Sequence, residues 1–277
     1  MRKGIIFGAG ELGKHVYDMV KDSVEIICFV DNDEFKWGGV IDGKEIRNPE
    51  ILKTLDVDAV FLGNLTGFDE IPKQLDLYGV PPTKLDTTQI TVFVKARILF
   101  LEKFADLVYK EGIEGSVGEA GVLRGEFAKH INRVFYDRKC YLFDTFDGFA
   151  EEDINKEPSK SAVVANQFKN VNVESVLAKM SNRENIVVKI GRFPETAEGI
   201  ADRFAFVNLD MDLYQPTLEG LRFFYPLMSN GGVILIHDYF TWAYPNVKKA
   251  VADFETEMGI KLHKMPIGDN ISMAIVK

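Results

Sequence analysis

The chain is 277 residues long, 46% hydrophobic and 27% charged, the make-up of a globular protein with room for a small and a medium domain. Its net charge of −9 speaks against a sequence-independent grip on nucleic acid or anionic lipid, since both need clustered Lys and Arg. The most apolar stretch, residues 90–101, is interrupted by Lys95 and Arg97, and Met1-Arg2-Lys3-Gly4 leads straight into a strand-like run without a signal-peptide core. No membrane span is expected, and a cytoplasmic location is.

Residues 4–7 read as a strand, followed by Gly8-Ala9-Gly10-Glu11-Leu12-Gly13 and an amphipathic helix over 14–21. The next apolar run, 25–30, ends in Asp31. A G-x-G-x-x-G turn between strand and helix, with an acidic residue about 20 positions on, is the dinucleotide-binding context. Its glycines let a pyrophosphate approach the backbone, the helix N-terminus favours the anion, and Asp31 is placed for ribose hydroxyls. Tight strand-to-helix packing needs the same turn, so Gly8, Gly10, Gly13 and Asp31 carry two readings. Cys28 in this strand and Cys140 in a later one are expected as buried reduced thiols. A small hairpin over 38–46 and a strand over 59–62 complete the segment. On Phe7–Gly13, Phe29–Asp33, Trp37–Gly43 and Asn48-Pro49 it resembles the small Rossmann-like domain at the front of sugar acyltransferases, a setting in which hydride transfer is not the usual role.

Pro81-Pro82 and 86–88 break the pattern and place a boundary between residues 86 and 87. Residues 92–109 then carry Ile98, Leu101, Phe104, Ala105 and Val108 at helical spacing, and the apolar side chains left over on that helix point to a homo-oligomer. A strand from Gly115 ends in Glu119, followed by Gly121, Gly125 and a helix over 126–134. A carboxylate at that strand end repels phosphate and suits a cationic or hydroxyl-bearing ligand. The next strand, 139–143, ends in Asp144, spaced for ribose hydroxyls. A positively charged nucleoside such as S-adenosylmethionine fits both strand ends. Residues 150–172 are polar and long for a connection, and read as a lid. A helix over 173–180 and a strand over 186–190 follow.

Residues 204–239 read as strand, polar break, helix from Thr217 to Leu227, and strand. Two continuous apolar runs joined through a helix make neighbouring parallel strands that end at one edge. That edge receives Asp210, Asp212, His237 and Asp238, and the carboxyl edge of an open α/β sheet is where ligands bind. Acidic side chains gathered there repel one another unless a cation or a proton transfer uses them. The runs 260–263 and 272–276 supply a closing antiparallel hairpin.

Four motifs now stand in order: Glu119–Gly125, Phe143–Phe149, Asn208–Tyr214 and His237-Asp238-Tyr239. On these, residues 92–277 resemble the macrocin O-methyltransferase family, whose members methylate sugar hydroxyls with S-adenosylmethionine and a divalent cation, usually Mg2+. The resemblance implies an α/β fold, with a Rossmann-like S-adenosylmethionine-dependent methyltransferase domain over 87–277 behind a smaller Rossmann-like domain over 1–86. It implies cofactor contacts at Glu119, Gly121, Arg124, Asp144, Thr145, Phe146, Ile190 and Gly191, and metal ligands at Asp210 and Asp238. Asp212 matches the proposed general base. The family carries two acidic residues after the last strand; here the first is His237, which is expected as a third ligand suited to transition metals, or as a base. A sugar diol is the natural acceptor. Competing expectations are an NAD- or nucleotide-sugar-binding oxidoreductase built on Gly8–Asp31, and a non-catalytic sensor of S-adenosylmethionine or a nucleotide sugar.

Overall fold

The structure, a computed structural model, describes residues 1–64, 71–161, 163, 168–241 and 243–277. The chain divides into two compact units, Met1–Lys95 and Ala96–Lys277. In the first, β1 (Arg2–Phe7), α1 (Glu11–Val20), β2 (Val24–Val30), β3 (Val40–Ile41), β4 (Lys44–Arg47), β5 (Ala59–Leu62), α2 (Ile71–Leu77) and β6 (Leu85–Asp86) follow in order. Among the described residues these strands make a sheet ordered β3-β4-β2-β1-β5-β6. The β1 run Ile5-Ile6-Phe7 and the whole of β5 are buried, the continuous apolar pattern of parallel strands covered on both faces. The expected hairpin is β3 with β4. Leu85 and Asp86, just before the expected boundary, pair parallel with Val60 and Phe61.

The helix α3 (Thr88–Glu111) is longer than the 92–109 expected and runs from one unit into the other. Its Ile90 lies in the apolar core of the first unit, and Leu101, Phe104, Ala105 and Val108 lie in the core of the second. Val92, Leu99 and Leu107 are exposed.

The second unit continues with β7 (Ser116–Ala120), α4 (Ala128–Val134), β8 (Cys140–Asp144), α5 (Glu151–Asn155), α6 (Val173–Leu177), β9 (Ile186–Ile190), β10 (Phe204–Leu209), α7 (Tyr214–Leu227), β11 (Met228–Ile236), α8 (Pro245–Met258), β12 (His263–Pro266) and β13 (Met273–Val276). Among the described residues its sheet is ordered β12-β13-β11-β10-β7-β8-β9. From β11 to β9 the pairing is parallel, and β13 and β12 close it antiparallel. The chain winds outward from β7 through β8 to β9, then returns to the other side of β7 with β10. That reversal makes β7 and β10 the topological switch point, where such sheets bind ligands.

An irregularity between Phe204 and Phe206 matters for the site. The pairing register of β10 shifts there against both neighbours. In a regular strand residues 204 and 206 share a face; the bulge sends Phe204 into the core with Phe224 and Phe206 into the core with Phe104 and Phe135. Asn208 therefore falls on the face covered by α3 and α4.

Two expectations need correction. The helix read from Thr217 begins at Tyr214, because Glu157 accepts the Tyr214 backbone N–H at 2.6 Å and satisfies an otherwise orphaned donor. The closing hairpin starts at His263, not 260, because α8 runs to Met258 and ends in a left-handed Gly259. In the segment read as a lid over 150–172, Arg192 forms a two-pronged pair with buried Asp153 at 2.6 and 3.0 Å, and Asn246 holds Glu157 and Ser159. Residues 162 and 164–167 of that segment lie outside the described residues. Among the described residues no helix is long and apolar enough to cross a membrane, and Cys28 and Cys140 are buried free thiols.

Candidate active site

Backbone ladders of the second unit bring its strand ends into one line. Gly121 donates to the Phe143 carbonyl, Gly191 to Asp144, Asp210 to Ala120 and His237 to Leu209, all at 2.8–2.9 Å. Glu119, Asp144, Ile190, Asp210 and His237 therefore share a rim, as the periodicity of the apolar runs implied.

Adjacent residues leaving a strand do not normally face the same point. Here they do, because Asp212 and Asp238 sit at φ of 60° and 58°, a left-handed conformation that costs a non-glycine residue roughly 1–3 kcal/mol and persists only where the surroundings impose it. The result is that His237 Nδ1 lies 3.0 Å from Asp210 Oδ1 and 2.6 Å from Asp238 Oδ2. One ligand atom from each of these three residues lies within 4.8 Å of the others, and Asp212 shares a hydrogen bond with Asp238.

Two residues not expected from the sequence complete the cluster. Arg97 of α3 donates to Asn208 Oδ1 at 2.9 Å and to Asp210 Oδ2 at 3.1 Å, while its guanidinium lies 3.9 Å over the Phe127 ring. Asn208, fully buried, donates in turn to Glu119 Oε1 at 2.7 Å. The chain Asp210–Arg97–Asn208–Glu119 thus spans the switch point. Their signals were present: Asn208 is the polar member of the run Phe204-Ala205-Phe206-Val207-Asn208-Leu209, and Arg97 a charge inside an apolar helix stretch. A charge in such a run must find a partner.

Electrostatics separate the acids. Burial alone would raise the Asp210 carboxyl, but the His237 imidazole and the Arg97 guanidinium outweigh it and hold Asp210 well below the usual carboxylate range. Burial and then the Asp238 and Asp210 carboxylates push Asp212 well above that range. For His237, burial would lower the imidazole, yet Asp210 and Asp238 prevail and push it up to about 10. Glu119 is raised to about 8, first by burial and then by the Asp210 charge. Its Oε2 is buried without a hydrogen-bond partner, and so is Arg97 Nε. An orphaned carboxylate oxygen in the interior is costly unless a donor comes to it.

Family models match two stretches. Residues 83–273 match the macrocin-O-methyltransferase (TylF) model, and residues 1–85 match one described as C2185-like, N-terminal. The chain belongs to the macrocin-O-methyltransferase family. As a member of it, the chain is an O-methyltransferase. It is 26% identical over 189 residues to mycinamicin III 3''-O-methyltransferase of Micromonospora griseorubida, covering 63% of this chain and 73% of that one. It is 27% identical over 173 residues to 8-demethyl-8-(2,3-dimethoxy-alpha-L-rhamnosyl)-tetracenomycin-C 4'-O-methyltransferase of Streptomyces olivaceus, covering 58% and 65%. In fold it is similar to the O-methyltransferase NovP, with 23% identity, TM-score 0.55 and coverage of 66% and 79%. It is also similar to the calicheamicin methyltransferase CalS11, with 19% identity, TM-score 0.52 and coverage of 77% and 86%.

The residues that the family resemblance marks as cofactor contacts occupy the rim with different duties. Asp144 accepts from the Leu123 N–H at 2.7 Å and the Phe146 N–H at 2.6 Å, which shapes both loops. Thr145 donates to the Gly148 carbonyl, and the Phe146 side chain packs into the core. Arg124 is exposed on the turn, its carbonyl accepting from Lys179. Ile190 leaves 61% of its surface open at the rim, an apolar face beside Gly191. Gly121 has a packing reason: at φ 87° a Cβ would stand 1.8 Å from the Asp210 carbonyl oxygen.

In the first unit the expected nucleotide site resolves residue by residue. A Cβ on Gly13 would lie 1.9 Å from the Gly8 carbonyl oxygen, and one on Gly8 2.7 Å from that of Gly63. Asp31 accepts from the Ala9 and Asp33 N–H groups and from Lys36 Nζ. Of the three glycines in this turn, Gly10 has no neighbour within 4 Å of a Cβ.

Proposed function

We propose that the protein transfers the methyl group of S-adenosylmethionine to a sugar hydroxyl, beside a divalent cation held by Asp210, His237 and Asp238. The observation that carries this reading is the meeting at one rim of that donor cluster, the proton-avid Asp212 and the orphaned oxygen of Glu119. The donor set fits a dication: three carboxylates and an imidazole are brought together at the cost of left-handed backbone and mutual repulsion. The sugar acceptor rests on family membership and on the rhamnosyl-bearing acceptor in the name of the Streptomyces olivaceus relative.

The methyl sulfonium of the donor carries its own leaving group, so activation is needed mainly at the hydroxyl. A dication bound at this cluster would orient two neighbouring acceptor oxygens and lower the pKa of the hydroxyl. Arg97 and Asn208 hold Asp210 in position from the α3 side. Asp212, buried beside the Asp238 carboxylate, takes the hydroxyl proton as the oxygen attacks. Glu119 Oε2 receives the cationic part of the donor, and Asp144 keeps the glycine turn in shape around it. Ile190 offers an apolar surface for a base ring. Holding acceptor oxygen and methyl carbon in line supplies much of the remaining acceleration.

The test measures S-adenosylhomocysteine release with a panel of nucleotide sugars and glycosylated compounds. Asp210→Asn is expected to abolish metal-stimulated turnover while leaving S-adenosylhomocysteine affinity within about tenfold. A wild-type chain that gives no calorimetric signal with millimolar S-adenosylhomocysteine would remove the methyl-donor site from Glu119 and Asp144.

A further inference from the structure

We infer that the metal position is built for a first-row transition dication, with the imidazole of His237 as its nitrogen ligand, more than for magnesium. The inference rests on the metal reading above and concerns which ion that site takes. Its first support is placement. The Nδ1 atom of His237 stands 3.0 Å from Asp210 Oδ1 and 2.6 Å from Asp238 Oδ2. Neighbouring ligand atoms on an octahedron with bonds of about 2.1 Å are about 3 Å apart. The imidazole nitrogen therefore lies within reach of the same ion as the carboxylate oxygens, not behind them.

Its second support is how firmly the ring is delivered. The His237 backbone N–H is tied to the Leu209 carbonyl at 2.9 Å, the last rung between β10 and β11. The following residue, Asp238, is turned left-handed so that both side chains meet, and the His237 side chain is only 14% exposed. A ring held in this way cannot leave the donor set for solvent by a simple rotation of an exposed side chain.

The third support is ligand chemistry. Magnesium takes oxygen ligands and gives up its water reluctantly, whereas a neutral imidazole is a good ligand for iron, cobalt, nickel and zinc. Replacing one oxygen corner with nitrogen weakens the magnesium site and strengthens the others. Late first-row ions bind most protein sites more tightly than magnesium does, so a bare preference is uninformative. The informative quantity is the part of the preference that depends on His237.

The experiment uses the full chain freed of metal with a chelator and titrated calorimetrically with Mg2+, Co2+ and Zn2+. His237→Asp is expected to cut the ratio of Mg2+ Kd to Co2+ Kd by about tenfold or more, with Mg2+ binding unchanged or tighter. A ratio the same in wild type and variant overturns the inference. Because the variant could lose its fold, the wild-type chain gives a second readout: among the four histidines, the His237 ring 15N resonances should move on adding Zn2+. Unmoved His237 signals while Zn2+ binds overturn the inference and leave the metal site standing. Absence of binding by all three ions would instead end the metal reading on which it rests.

Discussion

Each unit of this chain contains a strand, a glycine turn, a helix and a second strand ending in an aspartate that accepts a backbone N–H from the turn. Asp31 takes it from Ala9 at 2.7 Å and Asp144 from Leu123 at 2.7 Å. The neighbouring strands then differ. In the first unit β5 ends in Gly63, whose backbone packs against Gly8 and Gly13. In the second, β10 and β11 end in Asp210, Asp212, His237 and Asp238. Among the described residues, the buried polar side chains, including Glu119, Asn208 and Asp238, all lie in the second unit. The shared device stiffens a turn, and chemistry is concentrated where adjacent strands add polar groups that the fold itself does not require.

The largest expected effect separates the two units by activity. Asp212→Asn should lower kcat by about 10²–10⁴-fold, the usual weight of a positioned base, with S-adenosylhomocysteine binding retained. Asp31→Asn, which touches only the first unit's turn, should leave turnover at the wild-type level. Methyl transfer lost equally in both would erase the distinction.

Next comes Glu119→Gln, which should weaken S-adenosylhomocysteine binding by about 10–100-fold through loss of the Oε2 contact. It should also change stability in the opposite sense. The unfolded chain releases the Glu119 proton near the ordinary glutamate value of 4.5 and the folded chain near 8, so the fold holds the extra proton between those values. Stability contributed at low pH is therefore lost as pH rises from about 4.5 to about 8. The amide has no such titration. Melting curves should show the variant gaining on the wild type from pH 5 to pH 8 by at least a few degrees, an effect of a few kcal/mol at most. A pH-independent difference would place Glu119 in a more polar setting than its burial implies.

Arg97→Lys keeps the charge but loses the fork that reaches Asn208 and Asp210 together. Partners one step behind a metal ligand typically contribute 10–100-fold, so Co2+ affinity should fall by about tenfold, with the melting temperature little changed. The smallest effects return to the first unit. Gly13→Ala puts a Cβ 1.9 Å from the Gly8 carbonyl oxygen and should destabilise that unit by about 1–3 kcal/mol. Gly10→Ala meets nothing and should stay within about 0.5 kcal/mol. A loss of nucleotide-sugar affinity in Gly10→Ala, with stability intact, would give that turn a ligand after all.

Much of the site was legible in one dimension. Continuous apolar runs identify buried parallel strands, and the residues just after them must lie along one rim, so Glu119, Asp144, Asp210, His237 and Asp238 could be grouped before any coordinates. The parallel pairing of β10 with β11 and the helical spacing of α3 followed from the same periodicity. Glycine roles were less legible, because one letter serves both a phosphate approach and a carbonyl contact; at Gly121, Gly8 and Gly13 close backbone contact by itself excludes a Cβ.

Local pattern thus determined which side chains arrive at the rim, since period and strand direction are short-range properties of the chain. Tertiary structure alone decided how they meet. The contacts of Arg97 with Asn208 and Asp210 cross 111 and 113 residues, the bulge in β10 turns Asn208 toward α3, and the left-handed turns at Asp212 and Asp238 aim neighbouring side chains at one point. Each of these depends on what lies opposite in space, and a sequence read along its length does not contain that information in local form.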